Sequence, residues 1–305
     1  RLPSPPMRPA QTAARRAAAD FFAAETERLQ RFGERTNMER IESAANAKIK
    51  WTARLRQRKY REKENCFIVE GTRLAEMAAA SDWPPILALV TKAAAQKPRV
   101  ECILAQLAGR GCPIYEVSEA IMVKAAATVT PQGLLIVMKR RLTTLEELPK
   151  MREPALWAVL DGVQDPGNAG TILRTADAAG ATAIITLTET VDIFSDKAVR
   201  ATMGSLFYRP SVAGVTAAEF IRFSQAQEVQ LFAAAVDKTA KPYFRVDYRL
   251  PTAIVFGGEG GGVSSEILAT AQRIYIPMAG AAESLNVGVA AAVILYEALR
   301  QRRYG

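Results

Sequence analysis

The second half of this chain alternates short apolar segments with stretches of helical periodicity, and no other feature restricts its fold as strongly. The apolar segments predict strands at residues 156–160, 183–186, 231–235, 254–256 and 274–276. The periodic stretches predict helices at residues 169–179, 196–203, 217–226, 264–271 and 287–302. This alternation is typical of a mostly parallel sheet with helices on both faces, so we predict an α/β fold.

The first half of the chain predicts a second, smaller α/β domain. Its strand segments are residues 66–69, 86–90, 114–117 and 134–138, and its helices include residues 101–109 and 118–126. A charged stretch that contains Pro149 and ends at Pro154 is typical of a linker. We therefore predict a domain at residues 38–140, a linker at residues 141–153 and a second domain at residues 154–305.

Residues 1–37 differ from both domains, because they are Pro-rich and then rich in Ala, Arg and Glu. They lack the apolar core of a secretory signal, and their acidic residues argue against a transit peptide. We expect Met38 to be the natural start, with residues 1–37 either upstream or disordered sequence.

Charge and cysteine content restrict the possible chemistry. A formal net charge of +9 favours a polyanionic partner such as RNA. The thiols Cys66, Cys102 and Cys112 are scattered, which fits a reducing compartment such as the cytoplasm. The chain has no histidine, which excludes His-based catalytic triads and His-ligated metal sites. Catalysis must therefore use Arg, Lys, Asp, Glu, Ser or a bound cofactor, and we expect no metal and no membrane span.

A basic run occupies residues 48–63, where eight Lys and Arg residues accompany one acidic residue, Glu62. We expect seven of them to contact RNA phosphates: Lys48, Lys50, Arg54, Arg56, Arg58, Lys59 and Arg61. The interleaved Trp51 and Tyr60 are candidates for stacking on unpaired bases. The alternative interpretation is a solvated helix face.

Three loops that follow predicted strands carry unusual residues. The first, after Leu160, is rich in Gly, Asp, Pro and Asn and leads into a helix that we expect Asn168 to cap, with Arg174 in its second turn. The second is a glycine-rich loop around Glu259 that lacks the P-loop pattern. The third joins Pro277 to a helix for which Ser284 is the expected N-cap.

Each loop alone is compatible with an ordinary connection or, for the third, with a capped helix that packs on the sheet. Together they follow strands of one parallel sheet and should meet at its carboxyl edge, where α/β proteins bind ligands. A helix N-terminus at that edge suits an anionic or carboxylate-bearing ligand.

The motifs in these loops resemble a known family. N-x-G-x-x-x-R-x-A from Asn168, G-x-E-x-x-G from Gly257 and I-P-M…S-L-N-V-G-V-A from Ile276 are similar to the three motifs of the SpoU (TrmH-type) RNA ribose 2′-O-methyltransferases of the SPOUT superfamily. R-x-R-K-Y-R-E-K-x-x-x-F-I-V-E-G from Arg56 resembles the family's L30e-like substrate-binding domain. The rRNA-directed branch is the most similar.

The resemblance implies a deep trefoil knot in the C-terminal domain, a homodimer formed through that domain and S-adenosyl-L-methionine as cofactor. It implies catalytic roles for Arg174, Asn168, Glu259, Ser284 and Asn286, and cofactor contacts from Gly257, Gly262, Ile276, Pro277, Met278, Leu285 and Asn286. Many relatives carry Asn, Ser or Ala in place of Gly258, a departure that we expect to affect the loop only modestly.

The expected function is S-adenosylmethionine-dependent 2′-O-ribose methylation of RNA, most of all 23S rRNA. Positioning supplies much of the rate of such an in-line displacement. Because a guanidinium stays protonated, we expect Arg174 to fix the phosphate and align the hydroxyl, with Glu259 or an RNA phosphate as proton acceptor. The alternatives are a tRNA methyltransferase and a non-catalytic RNA-binding or ribosome-assembly protein; a dehydrogenase ranks last because its glycine fingerprint is missing.

Overall fold

The computed structural model describes residues 38–148, 154–235, 237 and 239–305. The expectations for residues 1–37 and for residues 149–153 of the linker lie outside these ranges.

The first sheet is mixed and contains five strands in the order β1-β4-β3-β5-β2. They are β1 (Glu39–Ile41), β2 (Cys66–Glu70), β3 (Pro85–Thr91), β4 (Ile114–Val117) and β5 (Leu134–Lys139). β5 is antiparallel to β2 and β3, whereas β4 is parallel to β1 and β3. The accompanying helices are α1 (Ala47–Arg54), α2 (Arg58–Glu64), α3 (Thr72–Ala80), α4 (Lys92–Ala95), α5 (Pro98–Gly109) and α6 (Glu119–Ala125).

The second sheet has seven strands in the order β10-β12-β9-β11-β6-β7-β8, and all its described pairings are parallel. The strands are β6 (Leu156–Asp161), β7 (Ala183–Leu187), β8 (Ser211–Val215), β9 (Gln230–Ala234), β10 (Lys241–Pro242), β11 (Thr252–Gly257) and β12 (Gln272–Tyr275). The helices are α7 (Pro166–Ala178), α8 (Asp196–Ala201), α9 (Ala217–Ala226), α10 (Ser265–Thr270) and α11 (Val287–Arg303). The predicted α/β fold with a parallel sheet is confirmed.

The strands that the alternation did not predict are the short or weakly apolar ones. β1 and β10 span only three and two residues, and β8 contains the exposed Gly214. β8 is an edge strand with only one partly buried face. Such a strand needs few apolar residues, which explains why the sequence pattern did not predict it.

Two predicted helix caps are wrong. Helix α7 begins at Pro166, and the Asp165 side chain accepts the Asn168 N–H at 2.8 Å, so Asp165 is the N-cap and Arg174 lies in the third turn. Proline is favoured at the first helical position, which moves the start upstream of Asn168. Helix α11 is capped by Asn286, not Ser284, because Asn286 Oδ1 accepts the Gly288 N–H at 2.9 Å.

The two domains share a core across their interface. Phe67 and Trp83 of the first domain meet Phe194 and Phe207 of the second, with ring centroids 5.1 Å apart for Phe67–Phe194 and 5.3 Å apart for Trp83–Phe207. All four side chains are buried in one continuous apolar cluster. This packing fixes the first domain beside the parallel sheet.

Candidate active site

The loops that follow β6 and β11 are joined through Asp161, the last residue of β6. Its backbone carbonyl accepts the Gly258 N–H at 3.0 Å, and its buried carboxylate accepts the Ser264 N–H at 2.7 Å. β6 and β11 are neighbours in the sheet, so their carboxyl ends are side by side. Asp161 therefore ties both ends of the glycine-rich loop to the loop that carries Asn168.

Two glycines of this loop, Gly257 and Gly258, lie in close backbone contacts. A methyl group on Gly258 would overlap the carbonyl oxygen of Gly162, and one on Gly257 would overlap the backbone of Gly262 and Val263. A side chain at position 258 would therefore require one of the two loops to shift. Gly260 and Gly261 have no atom within 4 Å of such a methyl group and are open.

Three polar side chains connect all three loops. Asn168 Nδ2 donates to Glu259 Oε1, and Asn286 Nδ2 donates to Asn168 Oδ1 at 3.0 Å. The predicted catalytic residues Asn168, Glu259 and Asn286 thus form one hydrogen-bonded row, which we call the amide row. Asn286 also caps α11, so the amide row fixes that helix against the start of α7.

The cap of α7 is itself ionised and paired. Lys197 Nζ lies 2.6 Å from Asp165 Oδ2, and this contact together with the Asn168 N–H lowers the pKa of the Asp165 carboxyl. Asp165 therefore holds the N-terminal turn that positions Asn168. Sequence reasoning missed Asp165 and Lys197, although Asp directly before Pro is a known signal for a helix start.

A cavity of about 220 Å³ adjoins the amide row. Of the residues expected to contact the cofactor, Gly257, Gly262, Ile276, Met278 and Leu285 line it, whereas Pro277 and Asn286 do not. Glu259 and Ser284 add polar groups to the wall. Sequence reasoning missed its remaining apolar wall, formed in part by Ala234, Phe256, Ile274, Ala290 and Ile294. The rule that ligands bind beyond strand ends would have found Ala234, which ends β9.

Arg174 neither lines the cavity nor bonds to the amide row. It is exposed on α7, six residues beyond Asn168 and therefore about 9 Å further along the helix axis. It has no hydrogen-bond or ion-pair partner within the described part of the chain. Its guanidinium is thus available to an anionic ligand.

Most Lys and Arg side chains of the basic run are exposed, but some are half-buried or buried in contacts within the protein. Lys50, Arg54, Arg56, Arg58 and Lys59 are exposed, although Arg58 is paired with Glu62 at 2.7 Å. The half-buried Lys48 lies over the Tyr115 ring, 4.9 Å from its centroid.

The expectation that Arg61 contacts RNA is wrong, because Arg61 is buried and its Nε lies 2.7 Å from Asp192 Oδ2 in the second domain. Trp51 and Tyr60 are half-buried against the core of the first domain, so packing already covers part of the rings that we expected to stack on bases.

Within the described residues, no helix is both long and apolar enough to cross a membrane. Among the same residues, no group of three or more His, Cys, Asp or Glu side chains is arranged to hold a metal ion.

A parallel α/β sheet with a cavity at its carboxyl edge, flanked by a basic domain, defines the class: a ligand-binding α/β protein with a surface suited to nucleic acid. Comparison with known proteins makes this specific. The family model described as the SpoU rRNA Methylase family matches residues 155–296, and that of the MRM3-like substrate binding domain matches residues 46–136.

Individual relatives agree with these matches. The chain is 35% identical to the 23S rRNA (guanosine(2553)-2'-O)-methyltransferase RlmP of Bacillus subtilis, over 85% of this chain and 98% of that protein. An AdoMet-bound rRNA methyltransferase from Sinorhizobium meliloti superposes with a TM-score of 0.79 at 33% identity, over 88% of this chain and all (100%) of that one. The tRNA (guanosine(18)-2'-O)-methyltransferase of Thermus thermophilus is 39% identical but matches 53% of this chain and 83% of its own length. The chain belongs to the SpoU rRNA methylase family, which confirms the resemblance read from its motifs.

Proposed function

We propose that this protein transfers a methyl group from S-adenosyl-L-methionine to a ribose 2′-hydroxyl of 23S rRNA. The observation that carries the proposal is the amide row, which joins the three family motifs beside an apolar cavity. The similarity to a 23S rRNA 2′-O-methyltransferase, over 85% of this chain and 98% of that protein, supports the choice of substrate.

The cavity suits the proposed cofactor chemically. Ile276, Leu285 and Ile294 supply apolar walls for a flat ring, and the glycine backbone at Gly257 and Gly262 permits close approach of a ligand. When bound, S-adenosylmethionine supplies an electrophilic methyl group on a sulfonium. The carboxylate of Glu259 in the cavity wall adds a negative charge that is complementary to such a cation.

The polar residues then have separate tasks. Arg174 binds the phosphate next to the target nucleotide and aligns the ribose hydroxyl, since a guanidinium is a strong phosphate donor and a poor base. Asn168 holds the Glu259 carboxylate in a fixed orientation, with Asn286 behind it. Either Glu259 or the RNA phosphate accepts the proton of the hydroxyl, and Ser284 lies in the same wall. Positioning of this kind accounts for much of the rate of an in-line displacement.

We assign RNA binding to a domain at residues 38–140, and methyl transfer to a domain at residues 154–305. The match of a substrate-binding family model to residues 46–136 supports the first assignment, as do the exposed Lys50, Arg54, Arg56 and Lys59. Within this proposal the first domain is L30e-like, and an RNA substrate and cysteines without disulfides in the described residues are consistent with the cytoplasm.

The second domain is proposed to be knotted and dimeric. β11 lies between β6 and β9, β12 lies beyond β9, and the chain then returns to the start of α7 through Asn286. Such a return across the sheet supports a trefoil knot. Val289 and Tyr296, both about half exposed on α11, support a homodimer that covers this helix.

The test is methyl transfer from labelled S-adenosylmethionine to total RNA from a strain that lacks this protein, followed by mapping of 2′-O-methyl sites. Label in 23S rRNA is the expected result and would identify the nucleotide. Label in tRNA would instead support the second candidate, which the half-length similarity to a tRNA enzyme keeps open. Absence of cofactor binding would favour a non-catalytic RNA-binding protein.

A further inference from the structure

Arg61 and Asp192 form a buried ion pair between the two domains. Their side chains are 5% and 8% exposed, and Arg61 Nε lies 2.7 Å from Asp192 Oδ2. Each of the other ion pairs found among the described residues has at least one partner more than a tenth exposed. The pair therefore differs from the surface ion pairs of this protein.

On the side of the first domain, Arg61 holds the connection between α1 and α2. Its Nη1 donates to the carbonyl oxygens of Leu55 at 2.9 Å and Arg56 at 2.7 Å. The exposed cations Arg54 and Lys59 flank this connection. One guanidinium thus fixes the backbone of the segment that we propose binds RNA, which we call the basic turn (residues 54–59).

On the side of the second domain, Asp192 belongs to the loop that follows β7. Its other oxygen accepts the Phe194 N–H at 2.9 Å. The preceding residue, Val191, donates its N–H to the carbonyl of Val163 at 2.9 Å, and Gly162 N–H donates to Thr190 Oγ1 at 3.1 Å. A continuous series of hydrogen bonds and one ion pair therefore joins the basic turn to the loop that leads to Asn168.

Stability alone is a weak reason for such a pair. Removal of two charges from water is costly, and well-packed apolar residues at such positions are often as stabilising. The adjoining interface is already apolar and aromatic. An ion pair also fixes geometry, because a guanidinium that bonds to three partners allows only one relative placement of those partners.

We propose that Arg61 and Asp192 are positioning residues for the RNA substrate: they hold the basic turn at a fixed distance from the amide row, so that bound RNA phosphates place the target ribose at the cofactor. This inference rests on the proposed function. It assigns neither residue a contact with RNA, and it predicts that loss of the pair misaligns a substrate that still binds.

Asp192→Asn tests the proposal, because an amide oxygen still accepts the Phe194 N–H while the charge is removed. We expect kcat on the mapped rRNA fragment to fall about 10- to 100-fold, as for other small misplacements of a substrate. The Kd for RNA, its salt dependence and the Kd for S-adenosylmethionine should stay within about twofold of wild type. Arg61→Lys should act in the same direction, since it keeps the charge and loses the bonds to the turn.

Glu62→Gln is the matched control, because it breaks the exposed pair with Arg58 in the same helix and should leave kcat unchanged. Equal losses of RNA binding, cofactor binding and kcat in Asp192→Asn would reveal a merely structural role and overturn the proposal. So would an unchanged kcat.

A second measurement does not depend on activity. Asp192→Asn should accelerate amide hydrogen exchange in the basic turn of the other domain, as well as near residue 192 itself. Faster exchange near residue 192 alone would overturn the proposed coupling. An inactive wild type would refute the proposed function instead, and the exchange measurement would still test the link between the domains.

Discussion

Asn286 Nδ2 donates a hydrogen bond of 3.0 Å to Asn168 Oδ1, although 118 residues separate the two in the chain. The side-chain oxygen of Asn286 also caps α11, and Asn168 Nδ2 donates a hydrogen bond to Glu259. Each atom of the Asn286 amide therefore has a distinct task. Substitutions that change one atom at a time can separate helix capping from organisation of the site.

Asn286→Asp keeps the capping oxygen and places an acceptor where the donor was. We expect stability within about 0.5 kcal/mol of wild type, because an acidic cap also suits a helix N-terminus, and a large loss of methyl transfer. Asn286→Ala should cost about 1 kcal/mol of unfolding free energy because it removes the cap. Urea unfolding combined with methylation rates distinguishes the two, and a fully active Asn286→Asp would exclude a role for its link to Asn168.

Gly258→Ala should disturb the site because its methyl group would overlap the carbonyl oxygen of Gly162. The two loops would have to separate, and the cavity wall that contains Gly257 and Glu259 would shift with them. We expect weaker binding of S-adenosylmethionine, measured by calorimetry, and a lower melting temperature. Gly260→Ala is the control, since no atom lies within 4 Å of its added methyl group. Equal cofactor affinities of the two variants would contradict the close-packing argument.

Arg174→Ala should keep the fold and cofactor binding and lose most methyl transfer, since the exposed guanidinium lacks a structural partner in the described ranges. Arg174→Lys should recover little, because an ammonium cannot bind a phosphate in the same bidentate way. The measurement is kcat on rRNA with cofactor affinity determined in parallel. Arg222→Ala, also an exposed arginine but on α9, should behave as wild type. Full activity of Arg174→Ala would remove this residue from the mechanism.

Replacement of Lys50, Arg54 and Lys59 by Gln should weaken RNA binding and flatten its salt dependence. Each lost contact to a single-stranded phosphate lowers the slope of log K against log salt by about 0.7, so the triple variant should lose about 2. Arg61 is omitted because it is buried. The matched control replaces the exposed Arg222, Arg245 and Arg249, which removes the same charge elsewhere. An equal change of slope in both variants would point to net charge alone.

We expect the protein to lose stability at alkaline pH, because buried acidic groups such as thiols ionise more readily in the unfolded chain. Burial raises the pKa of the Cys112 thiol to about 11, above the value of about 8.5 for an exposed thiol. The resulting contribution to stability is complete below the exposed value and is lost as pH rises through about 11. The free energy of unfolding should therefore fall in that window, and less so in Cys112→Ala. Identical curves for the two proteins would assign the loss to Cys66 and Tyr248, whose pKa values burial also raises.

Much of the candidate site was predictable because its residues sit in short, unusual motifs at strand ends. The resemblance of their loops to family motifs implied site roles for Asn168, Glu259 and Asn286, and the parallel-sheet rule predicted that these loops meet at one edge. The two predicted helix caps were wrong because a nearby residue in each case is the cap instead. Pro166 moved the start of α7, which made Asp165 the cap, and the oxygen of Asn286 was better placed than Ser284 to cap α11.

Arg61 shows the limit of charge patterns. Seven neighbouring Lys and Arg residues make it look like one more phosphate contact, and no periodicity separates it from Arg58 or Lys59. Its role depends on an acid 131 residues away, on another domain. A pattern of charges along the sequence does not show that Arg61 and Asp192 are close together in the fold.

The amino-acid sequence by itself determined the α/β class, the positions of the three strand-end loops and the family, because periodicity and short motifs are local properties of a chain. Only the tertiary structure decided that Asn286 bonds to Asn168, that Gly258 packs against the carbonyl of Gly162 and that Arg61 bonds across the domain interface. These depend on the approach of segments distant in sequence, and packing at van der Waals contact settles them.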